Sequence, residues 1–198
     1  MVHALTIDDI ERYCGYHFKD NEKGIVGIMI ARYSNVFAQG MIEQQYDYWH
    51  RKTGEGFIVY WLGYGAYYFP GEPGQYLVGD IGDEHSVFFD TTVFVQEVEK
   101  LNKYLTIHDE IGLLLCNYYD KKIHLDESVF FELEELMRED NNIKLRLFAE
   151  YLFELSKGKN DVAEVTKKLK RKYNYLKIKP TNWVNTIIQG GLSILGAI

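Results

Sequence analysis

The run Ile25-Val26-Gly27-Ile28-Met29-Ile30-Ala31 constrains this chain more than any other stretch. It is continuously apolar, without the alternation of a half-exposed strand, so it reads as a strand covered on both faces. Ser34 and Asn35 follow with side-chain oxygens suited to capping a helix. From Ala38 to Lys52 the residues Met41, Ile42, Tyr46 and Trp49 recur at helical spacing. Arg51 and Lys52 suit the negative end of that helix, and Gly54 suits its stop. Phe57-Ile58-Val59-Tyr60-Trp61-Leu62 is then a second strand, rich in aromatic and β-branched residues. Two strands joined by one helix predict a parallel β-α-β crossover over Lys23–Gly65.

Around this unit the remaining elements follow from local chemistry. Thr6 and Asp9 have the spacing of a capping box ahead of the stripe Ile7, Ile10, Cys14. Pro70-Gly71 and Pro73-Gly74 mark turns between short strands expected at Tyr67-Tyr68-Phe69 and Tyr76-Leu77-Val78. Asp90 is expected to cap a helix over Thr91–Tyr104, and Ile111–Cys116 to form another buried strand, returning through Ile123 and Leu125. Ser128 is expected to cap a helix carrying Phe130, Leu133 and Met137. A further helix over Ile143–Leu155 has an apolar stripe at Leu147, Phe148, Tyr151, Leu152 and Leu155. The predicted fold is an α/β domain over residues 1–157 with a central mixed, mainly parallel sheet flanked by helices. Residues 158–198 form a C-terminal extension, a basic helix and an apolar tail.

From Gly24 to Arg138 the predicted order of β-α-β, helix, hairpin and helix resembles the thioredoxin-like arrangement in topology. The resemblance implies a redox Cys-x-x-Cys at the start of the first crossover helix and a cis-proline before the hairpin. Here those places read Arg32-Tyr33-Ser34-Asn35-Val36-Phe37 and Thr106-Ile107-His108-Asp109. Thiol–disulfide exchange needs a thiolate there, so the redox activity is set aside and the topology is kept as one option beside a three-layer α/β domain of other connectivity.

The formal net charge of −7 argues against nucleic acid as a partner of the surface as a whole. Cys14 and Cys116, the only cysteines, supply neither a disulfide framework nor a zinc site. The first residues lack the apolar core of a secretion signal, and no stretch offers the roughly 20 apolar residues of a spanning helix. A cytoplasmic protein is expected, with peripheral membrane attachment as a further option.

Two places are candidates for ligand chemistry. Arg32, Tyr33, Ser34 and Asn35 lie where the first strand hands over to a helix, beside free amides that favour an anion, and Tyr64 is expected on the same rim. Asp80, Asp83 and His85 supply oxygen and nitrogen donors for a divalent cation, although a solvated acidic turn is the simpler reading. His50 reads as a helix-end cation and His124 as a hairpin residue on one sheet face. No phosphate-binding loop, dinucleotide fingerprint or nucleophile elbow is present, and no cofactor is expected.

The run Lys167-Lys168-Leu169-Lys170-Arg171-Lys172 is basic within an acidic protein, and no charged side chain follows Thr181. Trp183, Ile187, Ile188, Leu192 and Leu195 make the tail apolar, suited to docking on the body, on a partner or second copy, or on a membrane surface through residues 167–198. The functional expectation is a non-catalytic interaction or adaptor module, as a homo-oligomer or with a protein partner. The alternatives are an enzyme acting on a phosphorylated or nucleotide-like ligand and a membrane-associated effector.

Overall fold

Strand β1 (Lys23–Ile30) and strand β2 (Phe57–Trp61) pair in parallel, from Ile25 opposite Phe57 to Met29 opposite Trp61. Helix α2 (Val36–Arg51) connects them. This is the β-α-β unit that the apolar run predicts. The structure, a computed structural model, describes residues 3–18, 23–51, 54, 56–81, 85–108, 110–137, 143–157, 161–182 and 184. The side chains of residues 43, 44, 47, 50, 51, 81 and 85 lie outside that description.

The other side of β1 corrects the expectation of a mainly parallel sheet. Strand β6 (Gly112–Tyr119) runs antiparallel to β1, strand β7 (Lys122–Glu132) antiparallel to β6, and strand β8 (Ile178–Pro180) antiparallel to β7. The order is β2-β1-β6-β7-β8, a mixed and mostly antiparallel sheet. A continuous apolar run reports burial on both faces, and β6, buried from Gly112 to Tyr118, meets that condition while running the other way. Direction is set instead by the connection. Asp120 and Lys121 between β6 and β7 both adopt left-handed backbone, with φ of 50° and 61°, and a two-residue turn of that kind closes an antiparallel hairpin.

A second, three-stranded antiparallel sheet has the order β3-β5-β4, formed by β3 (Tyr64–Ala66), β5 (His85–Asp90) and β4 (Gln75–Ile81). Tyr67-Tyr68-Phe69, expected as a strand, lies instead in the loop leaving β3, while Asp80 and His85 belong to strands and not to a loop. Helix α3 (Thr91–Leu101) follows β5, capped by Asp90 as predicted: its Oδ1 accepts from Thr92 N–H and Val93 N–H at 2.9 and 3.0 Å.

The helix expected after Ser128 is also corrected. Strand β7 continues to Glu132, because Val129, Phe130 and Phe131 face Leu115, Leu114 and Leu113 on one side and Pro180, Lys179 and Ile178 on the other. A ladder on both edges outweighs a local capping signal. The strand reaches this register through a bulge between the pairs Asn117–His124 and Cys116–Ser128. Ser128 Oγ donates to the Leu125 carbonyl across it. Helix α4 (Glu134–Met137) is a single short turn after the strand.

Helix α1 (Ile7–His17) begins with the predicted capping box and buries Ile7, Ile10 and Cys14. It covers one face of the large sheet, where Tyr13 stacks on Tyr60. On the opposite face, Phe153 of helix α5 (Ile143–Ser156) packs against Trp49 of α2 and Phe57 of β2, and Phe148 packs against Phe131. Helix α6 (Val162–Lys172) joins that face, with Tyr173 edge-on to Phe148. One hydrophobic cluster includes residues of α1, α2, α3, α5, α6 and both sheets. The stripe predicted on α5 is rotated: Leu145, Phe148, Ala149, Leu152 and Phe153 are buried, whereas Leu147 is exposed.

Candidate functional site

Asn35 closes the start of α2 with its own side chain, its Oδ1 accepting from Phe37 N–H at 2.9 Å. Its backbone N–H donates to the Arg32 carbonyl at 2.9 Å, folding Arg32–Asn35 into a tight turn. The parallel pairing of β1 with β2 brings Tyr64 to the same end of the sheet. The Tyr64 hydroxyl donates to the Ala31 carbonyl at 2.6 Å, and the residue is only 1% exposed. Burial among Trp61 and Phe89 holds its ionisation well above the ordinary tyrosine range. Tyr64 therefore clamps the small sheet to the end of β1, whereas Arg32, Tyr33 and Asn35 stay half-buried and Ser34 exposed. Val36 and Phe37, the first residues of α2, turn apolar side chains outward.

The other predicted cluster is split by the strands. Asp80 sits exposed on β4, where its Oδ1 accepts from Ser86 Oγ at 2.8 Å. Asp83 and the side chain of His85 lie outside the described residues. Among the described residues no group of three or more His, Cys, Asp or Glu has the arrangement to hold a metal ion. His50 falls in the last turn of α2, with its side chain outside the description. His124 lies flat on Tyr119, ring centroids 3.5 Å apart.

Between the start of α1, the small sheet and the start of α3 lies a cleft of ≈ 380 Å³, lined among others by Thr6, Arg12, Tyr67, Phe69, Phe88 and Asp90. Several of its polar groups are engaged within the chain, whereas Gln75 Oε1, also in its lining, is buried without a hydrogen-bond partner. Asp9 takes Thr6 Oγ1 and Arg12 Nη2 at 2.7 and 2.8 Å, and Asp90 caps α3. Beside these groups stands an aromatic wall of Tyr67, Phe69 and Phe88. Tyr67 holds a left-handed φ of 68°, its N–H donating to the Ser86 carbonyl at 2.7 Å. An aromatic residue tolerates that backbone only where its surroundings enforce it. Tyr67 and Phe69 are also exposed to solvent, and on β4 Tyr76 and Leu77 are 54% and 49% exposed. In the described residues, β4 has β5 along one side and no strand along the other.

Neither thiol is set up as a nucleophile. Burial pushes Cys14 up to about 12, helped by the Glu11 charge, and burial pushes Cys116 higher still. Sequence reasoning missed one polar network. Glu127 accepts from Asn117 Nδ2 at 2.9 Å and from the Tyr119 hydroxyl at 2.8 Å, while Asn117 Oδ1 receives the Val162 N–H at 3.0 Å. The hydrogen bond to Glu127 is the main reason Tyr119 is raised to about 12. The network depends on the β7 bulge, which has no marker in the sequence. It fastens the first turn of α6 to the sheet.

Comparison of the chain with protein-family models, with curated proteins and with solved structures gives no match. Of the C-terminal residues, Thr181 N–H donates to the Ser128 carbonyl at 3.0 Å and Val184 is buried. Trp183, Ile187, Ile188, Leu192 and Leu195, expected as interaction residues, lie outside the described residues. Among the described residues no helix is long and apolar enough to cross a membrane.

Proposed function

We propose that this protein is a non-catalytic interaction module that engages a protein partner or a second copy through the small sheet, with the apolar tail after Val184 as a further contact. The observation that carries the reading is strand β4. Among the described residues it is an edge strand, and it exposes Tyr76 and Leu77, one on each face, while Tyr67 and Phe69 are exposed in the loop leaving β3. An open edge supplies backbone donors and acceptors for an added strand, and aromatic side chains supply contact area at low entropic cost. The body behind this surface has a thioredoxin-like topology without redox cysteines. The succession of β1-α2-β2, α3 and the β6-β7 hairpin supports that reading.

The test is light scattering of the full-length protein over a range of concentrations, together with identification of whatever co-purifies with it. A defined oligomer or a stoichiometric partner is expected, lost in the double variant Tyr76→Glu, Leu77→Lys with the melting temperature unchanged. A strictly monomeric full-length chain that purifies alone overturns the proposal.

A further inference from the structure

Charge is distributed very unevenly along this chain. Eleven of the 22 Lys and Arg residues but only four of the 29 Asp and Glu residues fall within 143–180, a net +7 against −14 for the remainder. Five of these cations face carboxylates: Arg146 pairs with Glu150, Lys157 with Glu154, Lys168 with Glu164, and Lys177 and Lys179 with Glu132. Helix α6 buries Val162, Ala163, Val165, Thr166 and Leu169 against the core, so its cations take the outer side: Lys170, Arg171 and Lys172 are exposed. On neighbouring α5, Ile143 and Leu147 stand one turn apart and are 58% and 53% exposed. The next position along that stripe is Tyr151, and Lys172 Nζ lies 3.9 Å from its ring centroid. That cation–π contact joins the basic side of α6 to the apolar stripe of α5. Tyr175, just past α6, adds a further exposed ring.

We infer that this α5–α6 face is a docking surface for an anionic lipid bilayer. Lysine near an anionic leaflet is attracted by the surface potential, and apolar side chains among the cations enter the headgroup region. Composition favours a bilayer over the two other anionic partners. Nine of the eleven cations in 143–180 are lysine, a residue depleted from protein–protein interfaces, where arginine is enriched. Exposed aliphatic residues such as Ile143 and Leu147 have no use against a phosphate backbone, which is gripped by charge. The uncharged run from Thr181 onward leaves β8 on the same chain segment. The inference is independent of the protein-binding role assigned to the small sheet.

The experiment is flotation of the full-length protein with phosphatidylcholine vesicles carrying about 30% phosphatidylserine, and with phosphatidylcholine alone. Binding to the anionic vesicles is expected, weakening at least about tenfold between roughly 0.1 M and 1 M salt as the charges are screened. The variant Lys170→Glu, Arg171→Glu changes two exposed side chains and is expected to weaken binding by about tenfold or more. Ile143→Ser with Leu147→Ser is expected to weaken it several-fold, and both variants to keep the wild-type melting temperature. Removing residues 185–198 should leave the salt-sensitive binding in place. Absence of binding, equal binding to uncharged vesicles, or loss of binding with the tail alone overturns the inference. Tighter binding to a single-stranded oligonucleotide or to polyglutamate at the same salt overturns it as well. The salt titration of the wild-type chain decides the matter even if a variant fails to fold.

Discussion

The backbone N–H of Ile7 donates to Glu97 Oε2 at 3.0 Å, joining the first turn of α1 to the middle of α3 across ninety positions of sequence. Glu97 is 3% exposed, and its other oxygen receives Lys100 Nζ at 2.6 Å. A carboxylate at the positive end of a helix and accepting one of its free amides is stabilised twice over. Glu97→Ala removes both effects and leaves a buried amide without an acceptor. A loss of about 2 kcal/mol is expected, read as a lower denaturant midpoint at unchanged slope. Lys100 is half exposed, so Lys100→Ala should cost only a few tenths of a kcal/mol.

Tyr64→Phe deletes the hydroxyl that holds the Ala31 carbonyl while keeping the ring against Trp61 and Phe89. The expected cost is about 1–2 kcal/mol. If Tyr64 is a clamp and not a ligand group, the loss appears in global stability, and protein association through the small sheet keeps its wild-type strength. Association falling with stability unchanged would place the hydroxyl at the binding surface.

Gly63→Ala strikes the turn between β2 and β3. The residue has φ of 77°, and a Cβ there would lie 2.8 Å from Phe94 Cβ. Left-handed backbone and overlap with α3 together predict a loss of at least about 2 kcal/mol. Gly71, with φ of 94° and open space around it, should lose only the backbone part when changed to Ala. The gap between the two variants measures the overlap.

Asn117→Ala cuts both the bond to Glu127 and the bond to Val162 N–H. The expected result is about 2 kcal/mol of destabilisation, with faster amide exchange in the first turn of α6. Flotation with anionic vesicles at a temperature where the variant is fully folded should be weakened only if α6 must be held rigid to bind.

The two thiols set an alkaline limit. The Cys14 thiol titrates near the ordinary 9.0 when unfolded and is pushed by burial up to about 12 when folded, and Cys116 is shifted in the same direction. Above pH 9 the unfolded chain loses these protons and the folded chain keeps them. Stability is therefore fully present below pH 9 and falls as pH rises towards 12. Replacing both cysteines with alanine should flatten that decline in a series of denaturation midpoints. A thiol-reactive dye at pH 8 should label neither residue until the protein unfolds.

Much of the frame is legible in the residues themselves. Thr6 with Asp9, and Asp90, mark helix starts because capping is a local bond. The run at Ile25–Ala31 marks a central strand because burial on both faces is written in composition. What is hidden depends on neighbours distant in sequence. The direction of β6, the extension of β7 through Phe131 and the bulge before Ser128 are each decided by what lies on the next strand. The candidate site divides the same way. The turn at Arg32–Asn35 and the basic run on α6 are visible from sequence, whereas the cleft over Phe88 exists only once three strands have paired.

Strand β8 is three residues long and is secured on β7 by its ladder and by Thr181. Whatever grips the chain beyond Val184 pulls first on this short ladder. Behind it, β7 is already bound to β6 and β6 to β1. Tension from the terminus is thus delivered straight into the middle of the molecule, and the weakest link in the line is the outermost one.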